Sequence, residues 1–488
     1  MNHQSLSLIV LLGFLILACS EKNQPDEKST NASLNFIFIL ADDLGYGDLR
    51  CYNAESKIPT PNLDQLALEG MRFTDAHTPS SVCTPTRFGF LTGQYAWRSP
   101  LKRGVLQSYD RELIPDSLET IAEVFQKAGY HTAHIGKWHL GYDWQVKEGY
   151  PTDWPINGIW RVEDRDDRLD FSNGIPGGPI NAGFDYSFGF DAPNFPPFCF
   201  WENGKIIGEL PQVIKPASMY GNEGWMQEGW QLQEVYPDLE DKALDYLEEL
   251  AEMDKPFFLY LPLSAPHVPL LPTQEAEGKS QAGLYGDFVV DVDDQVGKIR
   301  AKLKDLGIDQ NTILVFTSDN GSPARIADPY ANGENSYFAG SGFIMDTFNH
   351  YPNGDWNGLK GCTLEGGHRV PMLVHWPEKI EPGTTNNQLV CLTDWITFAY
   401  QLLDIPKPSD QAVDSYNLMA TITDPNQGIR DQIVHHSGDG KFAIRQDDWK
   451  LILAKNPASS YLSWYKPELS ENEFDGNLFN LADDPKEE

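Results

Sequence analysis

Cys83-Thr84-Pro85-Thr86-Arg87 places a thiol four residues ahead of a guanidinium, with Leu91-Thr92-Gly93 following at the spacing of a short helix and its stop. A thiol at the start of a helix sits where the free N–H groups and the helix dipole favour negative charge. Taken alone, Cys83 reads equally well as a small buried thiol. Two further groups carry only oxygen donors: Asp42 and Asp43 after one apolar run, and Asp319 and Asn320 after another. Such a set suits a hard cation, Ca²⁺ or Mg²⁺, rather than zinc. Any one of these pairs could simply cap a turn. Lys137, His139, His267 and Lys360 each lie just past a strand-like run or in a glycine-rich loop, and with Arg87 they supply fixed positive charge and titratable nitrogen.

The elements that must position these residues share one grammar. Asn35–Leu40 (NFIFIL) is an apolar run without helical spacing, which reads as a buried strand ending at Asp42-Asp43. Tyr130–Ile135, Phe257–Leu261 and Thr312–Thr317 repeat the pattern, each ending in polar residues. Between them, Thr60-Pro61 and Gly70 bracket a helix, Asp116 with Glu119 suggests a capping pattern for another that runs to Ala128, and Val289, Val292, Val296, Ile299 and Leu303 repeat at helical spacing. Alternating strands and helices predict an α/β fold with a large, mostly parallel sheet, in which ligands sit at the carboxyl ends of the strands. Residues 142–235 are rich in Gly, Pro, Trp and Asn without periodicity and read as insertions around a cleft. Past residue 390 the pattern changes to one helix over Asp394–Leu403 and short runs at Ile433–His435, Phe442–Arg445, Lys450–Leu453 and Leu478–Leu481, a small antiparallel subdomain.

The motifs together resemble the formylglycine-dependent type I sulfatases of the alkaline-phosphatase superfamily. Ser80-Ser81-Val82-Cys83-Thr84-Pro85-Thr86-Arg87 resembles their C-x-P-x-R signature. Ala41-Asp42-Asp43-Leu44-Gly45-Tyr46-Gly47-Asp48, Gly136-Lys137-Trp138-His139-Leu140-Gly141, Pro266-His267, Thr317-Ser318-Asp319-Asn320-Gly321, and Lys360-Gly361 with Glu365-Gly366-Gly367 follow in the family's order. Thr86 stands where Ser is commoner, and Phe90 where Leu is frequent. The resemblance implies a sulfuric ester hydrolase in which a maturation enzyme oxidises Cys83 to formylglycine, whose hydrate attacks sulfur and whose later elimination restores the aldehyde. It implies a Ca²⁺ or Mg²⁺ site at Asp42, Asp43, Cys83, Asp319 and Asn320. It also implies catalytic roles for Arg87, Lys137, His139, His267 and Lys360: His139 as base for the hydrate, and His267 on the sulfate and, with Lys360, beside the leaving oxygen. A phosphonate monoester or phosphodiester hydrolase is the alternative within the superfamily, and a non-catalytic glycan-binding lipoprotein the alternative outside it.

Composition narrows the partners. The 488 residues carry 37 Lys+Arg against 71 Asp+Glu, a formal charge of −34. That excludes a nucleic-acid binder working by bulk charge. With 41% hydrophobic and 12% aromatic residues the chain has the material for a large core. Recognition of a polyanionic saccharide must therefore rest on a local basic cleft, for which Arg98, Lys102, Arg103 and Arg111 are the nearest candidates. Leu6–Leu17 is apolar but shorter than the ~20 residues of a spanning helix, and Ile16-Leu17-Ala18-Cys19 resembles a lipobox. The expected organisation is a signal peptide over 1–18, a polar tether over 19–33 with Cys19 lipidated, a catalytic domain over 34–390 and a C-terminal subdomain over 391–488. The place would be the periplasm or the outer-membrane surface, with membrane contact through the lipid alone. The substrate would be a sulfated polysaccharide or oligosaccharide, such as ulvan, carrageenan or a glycosaminoglycan. Apart from Cys19 and Cys83, four cysteines remain, with no zinc-type spacing.

Overall fold

The computed structural model describes residues 34–150, 168–324, 343–462, 469 and 475–488; the signal peptide and tether expected over 1–33 lie outside them. Among the described residues no helix is long and apolar enough to cross a membrane.

A ten-stranded mixed sheet forms the centre. Its strands are β1 (Asn35–Ala41), β2 (Met71–Phe73), β3 (His131–Lys137), β4 (Tyr186–Phe190), β5 (Trp201–Glu202), β6 (Lys205–Ile206), β7 (Phe257–Pro262), β8 (Thr312–Ser318), β9 (Met372–His375) and β10 (Thr384–Asn386). They lie in the order β10-β2-β9-β8-β1-β7-β3-β4-β5-β6, and the five from β8 to β4 are mutually parallel. Of these, β1, β7 and β8 are apolar almost without interruption, because helices cover both faces. The longer helices are α1 (Pro61–Glu69), α2 (Cys83–Thr92), α3 (Ile121–Lys127), α4 (Val235–Ala251), α5 (Gly283–Asp305) and α6 (Trp395–Leu402). One aromatic block joins sheet to helices: the Phe38 and Phe90 rings stack at 4.1 Å, and Phe36 meets Phe125, Phe258, Trp395 and Phe398. A four-stranded antiparallel meander, β11 (Gln432–His436), β12 (Phe442–Gln446), β13 (Trp449–Ile452) and β14 (Asn477–Asn480), completes the fold. The mixed, mostly parallel sheet and the small antiparallel one are the architecture the alternation predicted.

Three local expectations need correction. The capping box of α3 is Thr120 with Glu123, each side chain bonded to the other's backbone N–H, and not Asp116 with Glu119; the helix therefore begins at Ile121. Thr60 precedes α1 without a capping bond, its hydroxyl being turned to Asp64. Residues 142–235 are not insertions alone, since they contain β4, which pairs in parallel with β3. Its sequence YSFGF hides the strand because Gly189 lacks a side chain to carry the alternation; a Cβ there would meet the Gly136 carbonyl oxygen at 2.0 Å.

Candidate active site

Four of the five parallel strands lead into residues of the same cluster. β1 delivers Asp42 and Asp43, β8 delivers Asp319 and Asn320, β3 delivers Lys137 and then His139, and the turn after β7 delivers His267. Helix α2 points its first residue, Cys83, at this rim, and all ten of its residues are buried. Cys83 itself is 2% exposed. Lys360 arrives from the loop that pairs its backbone with Ser322.

The three carboxylates face three cations. Lys137 Nζ lies 2.7 Å from Asp42 Oδ2. Arg87 donates to Asp319 Oδ2 through Nε at 3.1 Å and Nη2 at 2.8 Å, and through Nη1 to the Lys137 carbonyl. Lys360 Nζ is 2.5 Å from Asp43 Oδ1 and 3.4 Å from Cys83 Sγ, while Asp42 Oδ1 stands 3.7 Å from the same sulfur. Burial would raise the Asp42 carboxyl, yet the neighbouring cations, Lys137 first and Arg87 with it, hold it below the ordinary carboxylate range. Burial pushes the unmodified Cys83 thiol up to about 12, so it is no ready thiolate nucleophile.

Two oxygens in this well-bonded site have no hydrogen-bond partner: Asp43 Oδ2 and Asn320 Oδ1, both buried. Asn320 has turned its amide to Asp43 Oδ1 and its own neighbour's carbonyl, and Asp319 Oδ1 accepts the Asp43 N–H. Asp42, Asp43, Cys83 and His267 each bring a donor atom within 4.8 Å of the others. A buried polar group left unpaired is costly, and a pair of orphan oxygens beside two more carboxylates fits a hard cation. The turn that carries Asp43 holds it at φ +69. It is braced by Asp48, which accepts from the Gly45 N–H and the Tyr285 hydroxyl and bonds His350 Nε2 at 2.8 Å.

The two histidines have defined faces. His139 Nε2 is 3.1 Å from the Leu106 carbonyl and so donates to it, leaving Nδ1 bare and unpartnered. His267 Nδ1 is 2.7 Å from the Val268 carbonyl, leaving Nε2 toward Asp43 Oδ2 at 3.8 Å. Burial is the first cause that lowers both below ordinary histidine, with Lys137 and Arg87 adding to it at His139. Both are neutral near pH 7.

Sequence reading overlooked Tyr285, His350 and Asp191. Asp191 follows β4 directly, its carboxylate accepts the His139 N–H, and burial pushes it up to about 7, with Oδ1 unpartnered. Finding it required recognising β4 as a strand. Of the basic residues considered for a cleft, Arg98 is held by both oxygens of Asp414, Arg111 lies 3.8 Å from Asp143, and the Lys102 ammonium donates to the Trp97 carbonyl. The five cysteines among the described residues are all free thiols.

A family model described as Sulfatase matches residues 34–405. The chain is 32% identical to the N-acetylgalactosamine-6-O-sulfatase of Bacteroides thetaiotaomicron, over 100% of this chain and 95% of that protein. It is 30% identical to human arylsulfatase A over 94% of this chain and 83% of that one. A solved Bacteroides thetaiotaomicron structure, described under the metabolism of multiple glycosaminoglycans, superposes with a TM-score of 0.76 at 30% identity, covering 93% of this chain and 94% of that chain. The carboxylate-and-cation rim at the strand ends thus stands on a fold and a sequence shared with enzymes of one kind, and the chain belongs to the sulfatase family, the sulfuric ester hydrolases.

Proposed function

We propose that this sulfatase removes sulfate from a glycosaminoglycan-type saccharide, with 6-sulfated N-acetylgalactosamine as the first substrate to test. One observation carries the chemistry: three cations and two orphan oxygens converge on the first residue of a buried helix. With Asp42, Asp43 and Asp319 already matched by Arg87, Lys137 and Lys360, a bound dication leaves the rim positive, which suits an anionic ester. The similarity to the Bacteroides thetaiotaomicron N-acetylgalactosamine-6-O-sulfatase, whole chain to nearly whole chain, supports the choice of sugar. Sulfated algal glycans such as ulvan and carrageenan form the comparison panel.

Asp42, Asp43, Asp319 and Asn320 are the residues that would hold Ca²⁺, or Mg²⁺, with residue 83 beside them; the ion when bound polarises sulfate oxygens. Cys83, converted to formylglycine by a maturation enzyme, supplies a hydroxyl nucleophile in place of a thiol whose ionisation burial suppresses. His139 accepts the proton of that hydroxyl at Nδ1, the one face of its ring with no partner. Arg87 fixes Asp319, and its buried charge stabilises negative charge growing at the start of α2. Lys360 gives a proton to the departing alcohol oxygen, because its ammonium lies 3.4 Å from Cys83 Sγ, whereas His267 is neutral and orients sulfate oxygens. The enzyme acts outside the cytoplasm as a lipoprotein anchored through Cys19, on the strength of the apolar leader and lipobox-like sequence.

The test is sulfate release, measured by ion chromatography on a panel of sulfated oligosaccharides, with formylglycine verified by peptide mass and Cys83→Ala as control. Release by the converted enzyme from 6-sulfated N-acetylgalactosamine units alone bears out the reading. Release from an algal glycan instead overturns the substrate. Phosphodiester cleavage without sulfate release overturns the reaction.

A further inference from the structure

Alongside the loop that leads into Cys83, three histidines from distant parts of the chain meet in a dry cluster: His77, His368 just ahead of β9, and His435 in β11. None has measurable exposure to solvent. Each ring is fixed at its outer nitrogen by a protein acceptor. His77 Nε2 is 2.8 Å from Asp75 Oδ1, His368 Nε2 is 3.2 Å from the Thr363 carbonyl, and His435 Nδ1 is 3.1 Å from the Thr78 carbonyl. His77, His368 and His435 each bring one ring nitrogen within 4.8 Å of the others, and the nitrogens not held by those acceptors are His77 Nδ1, His368 Nδ1 and His435 Nε2. His77 Nδ1 and His368 Nδ1 are 3.0 Å apart, and His435 Nε2 has no hydrogen-bond partner. Burial holds all three rings below ordinary histidine, so they are neutral and one nitrogen of each carries a lone pair.

The cluster has two consistent protonation patterns. In the first, His368 carries its proton on Nδ1 and donates to His77, while its Nε2 accepts from Lys450 Nζ at 3.1 Å; His435 Nε2 stays unpaired. In the second, the His368 proton sits on Nε2 and donates to Thr363, leaving three inward lone pairs and a need for a cation between them. Outer nitrogens that donate to a carboxylate and to backbone carbonyls are the arrangement that orients metal-binding imidazoles. We propose that His77, His368 and His435 form a structural site for a borderline divalent metal, zinc first, separate from the oxygen-lined centre of the active site. Imidazole donors favour zinc over the calcium that carboxylates select. Binding needs a tautomer shift in His368, which turns Nε2 from acceptor of Lys450 Nζ to donor, and a turn of one stacked ring, with no net proton loss. The His368 and His435 rings stack at 3.6 Å, so one of them must turn about its side-chain bonds to aim at a common ion. Asp75 and Glu365 are both in contact with His77, their charge offset by Arg369, Arg445 and Lys450. The ion would tie the Thr78 loop, the Glu365–His368 segment and β11 together.

The test uses full-length, tag-free protein exposed to zinc and dialysed, with metal content by mass spectrometry and the ligand shell by X-ray absorption at the zinc edge. The expected result is about one zinc per chain with nitrogen ligands at ~2.0–2.1 Å, retained in Asp43→Asn and lost in His435→Gln. An oxygen-only shell, loss with Asp43→Asn, or no stoichiometric zinc in the unaltered protein overturns the proposal. Should His435→Gln fail to fold, the absorption spectrum of the unaltered protein decides by itself.

Discussion

Two buried clusters in this molecule carry the same nominal charges. The candidate catalytic rim has Asp42, Asp43 and Asp319 against Arg87, Lys137 and Lys360. The cluster beside the C-terminal meander has Asp75, Glu365 and Glu487 against Arg369, Arg445 and Lys450. In the second, Lys450 lies 2.9 Å from Glu365 and 2.7 Å from Glu487, while Arg369 and Arg445 both clasp Asp75. In the first, the strand ends leave Asp43 Oδ2, Asn320 Oδ1 and His139 Nδ1 without partners. Orphan atoms occur in the second as well, at Glu487 Oε1 and His435 Nε2, so neither charge inventory nor unmet bonding alone separates the two; the placement of two unmet oxygens at the carboxyl ends of parallel strands does.

The comparison can be broken or sharpened by substitution. Cys83→Ala should lower sulfate release by ~10³-fold or more with the melting temperature nearly unchanged; a fold loss of similar weight would make α2 structural first. Lys450→Met should do the opposite, costing ~3–5 kcal/mol of stability in denaturant titration because Glu365 and Glu487 lose their shared cation, with turnover per folded molecule kept. Loss of turnover at full stability would show that the second cluster also acts in catalysis. Asp43→Asn, or dialysis against a calcium chelator, should reduce turnover by ~10²-fold, and readded Ca²⁺ should restore the chelated enzyme but not the variant.

Smaller effects follow from titration. His134 and His436 are buried and depressed to about 3 and about 4 respectively. The unfolded chain takes up their protons near pH 6.5 while the folded one refuses them, so stability is full above that pH and declines as pH falls toward those values. The slope is ~1.4 kcal/mol per pH unit for each such group; melting temperatures between pH 7.5 and 5 measure it, and a flat profile would contradict neutral burial. Asp191→Asn should be mildest, lowering turnover several-fold, about 1 kcal/mol, by loosening the His139 backbone, which sits at φ +58. Its readout is the alkaline or acid limb of the rate profile, which a purely structural change would leave in place.

Much of the catalytic rim was legible because each donor follows an apolar run directly, as with Asp42 after NFIFIL and Asp319 after ILVFTS. Periodicity locates such runs without knowledge of their neighbours. Asp191 was not, because β4 is an aromatic-glycine strand with no clear alternation. The α3 cap was misplaced because Asp116-x-x-Glu119 and Thr120-x-x-Glu123 both have the spacing of a capping box, and only the packing of Ile121 onto the sheet chooses between them. The histidine cluster left no local pattern at all, since His77 and His368 are 291 residues apart and meet through tertiary structure alone.

The sealed position of Cys83 sets a schedule. Its helix is wholly buried, and the carboxylate nearest Arg87 belongs to a strand 232 residues further along the chain. An enzyme that oxidises this thiol must bind an extended segment, so it has only the interval between the emergence of residue 83 and the docking of β8 against β1. Every molecule that closes its sheet first is committed, for as long as it stays folded, to an inert thiol. On the proposed conversion of Cys83, the specific activity of a preparation records a race between folding and modification, and slower folding at lower temperature should raise it.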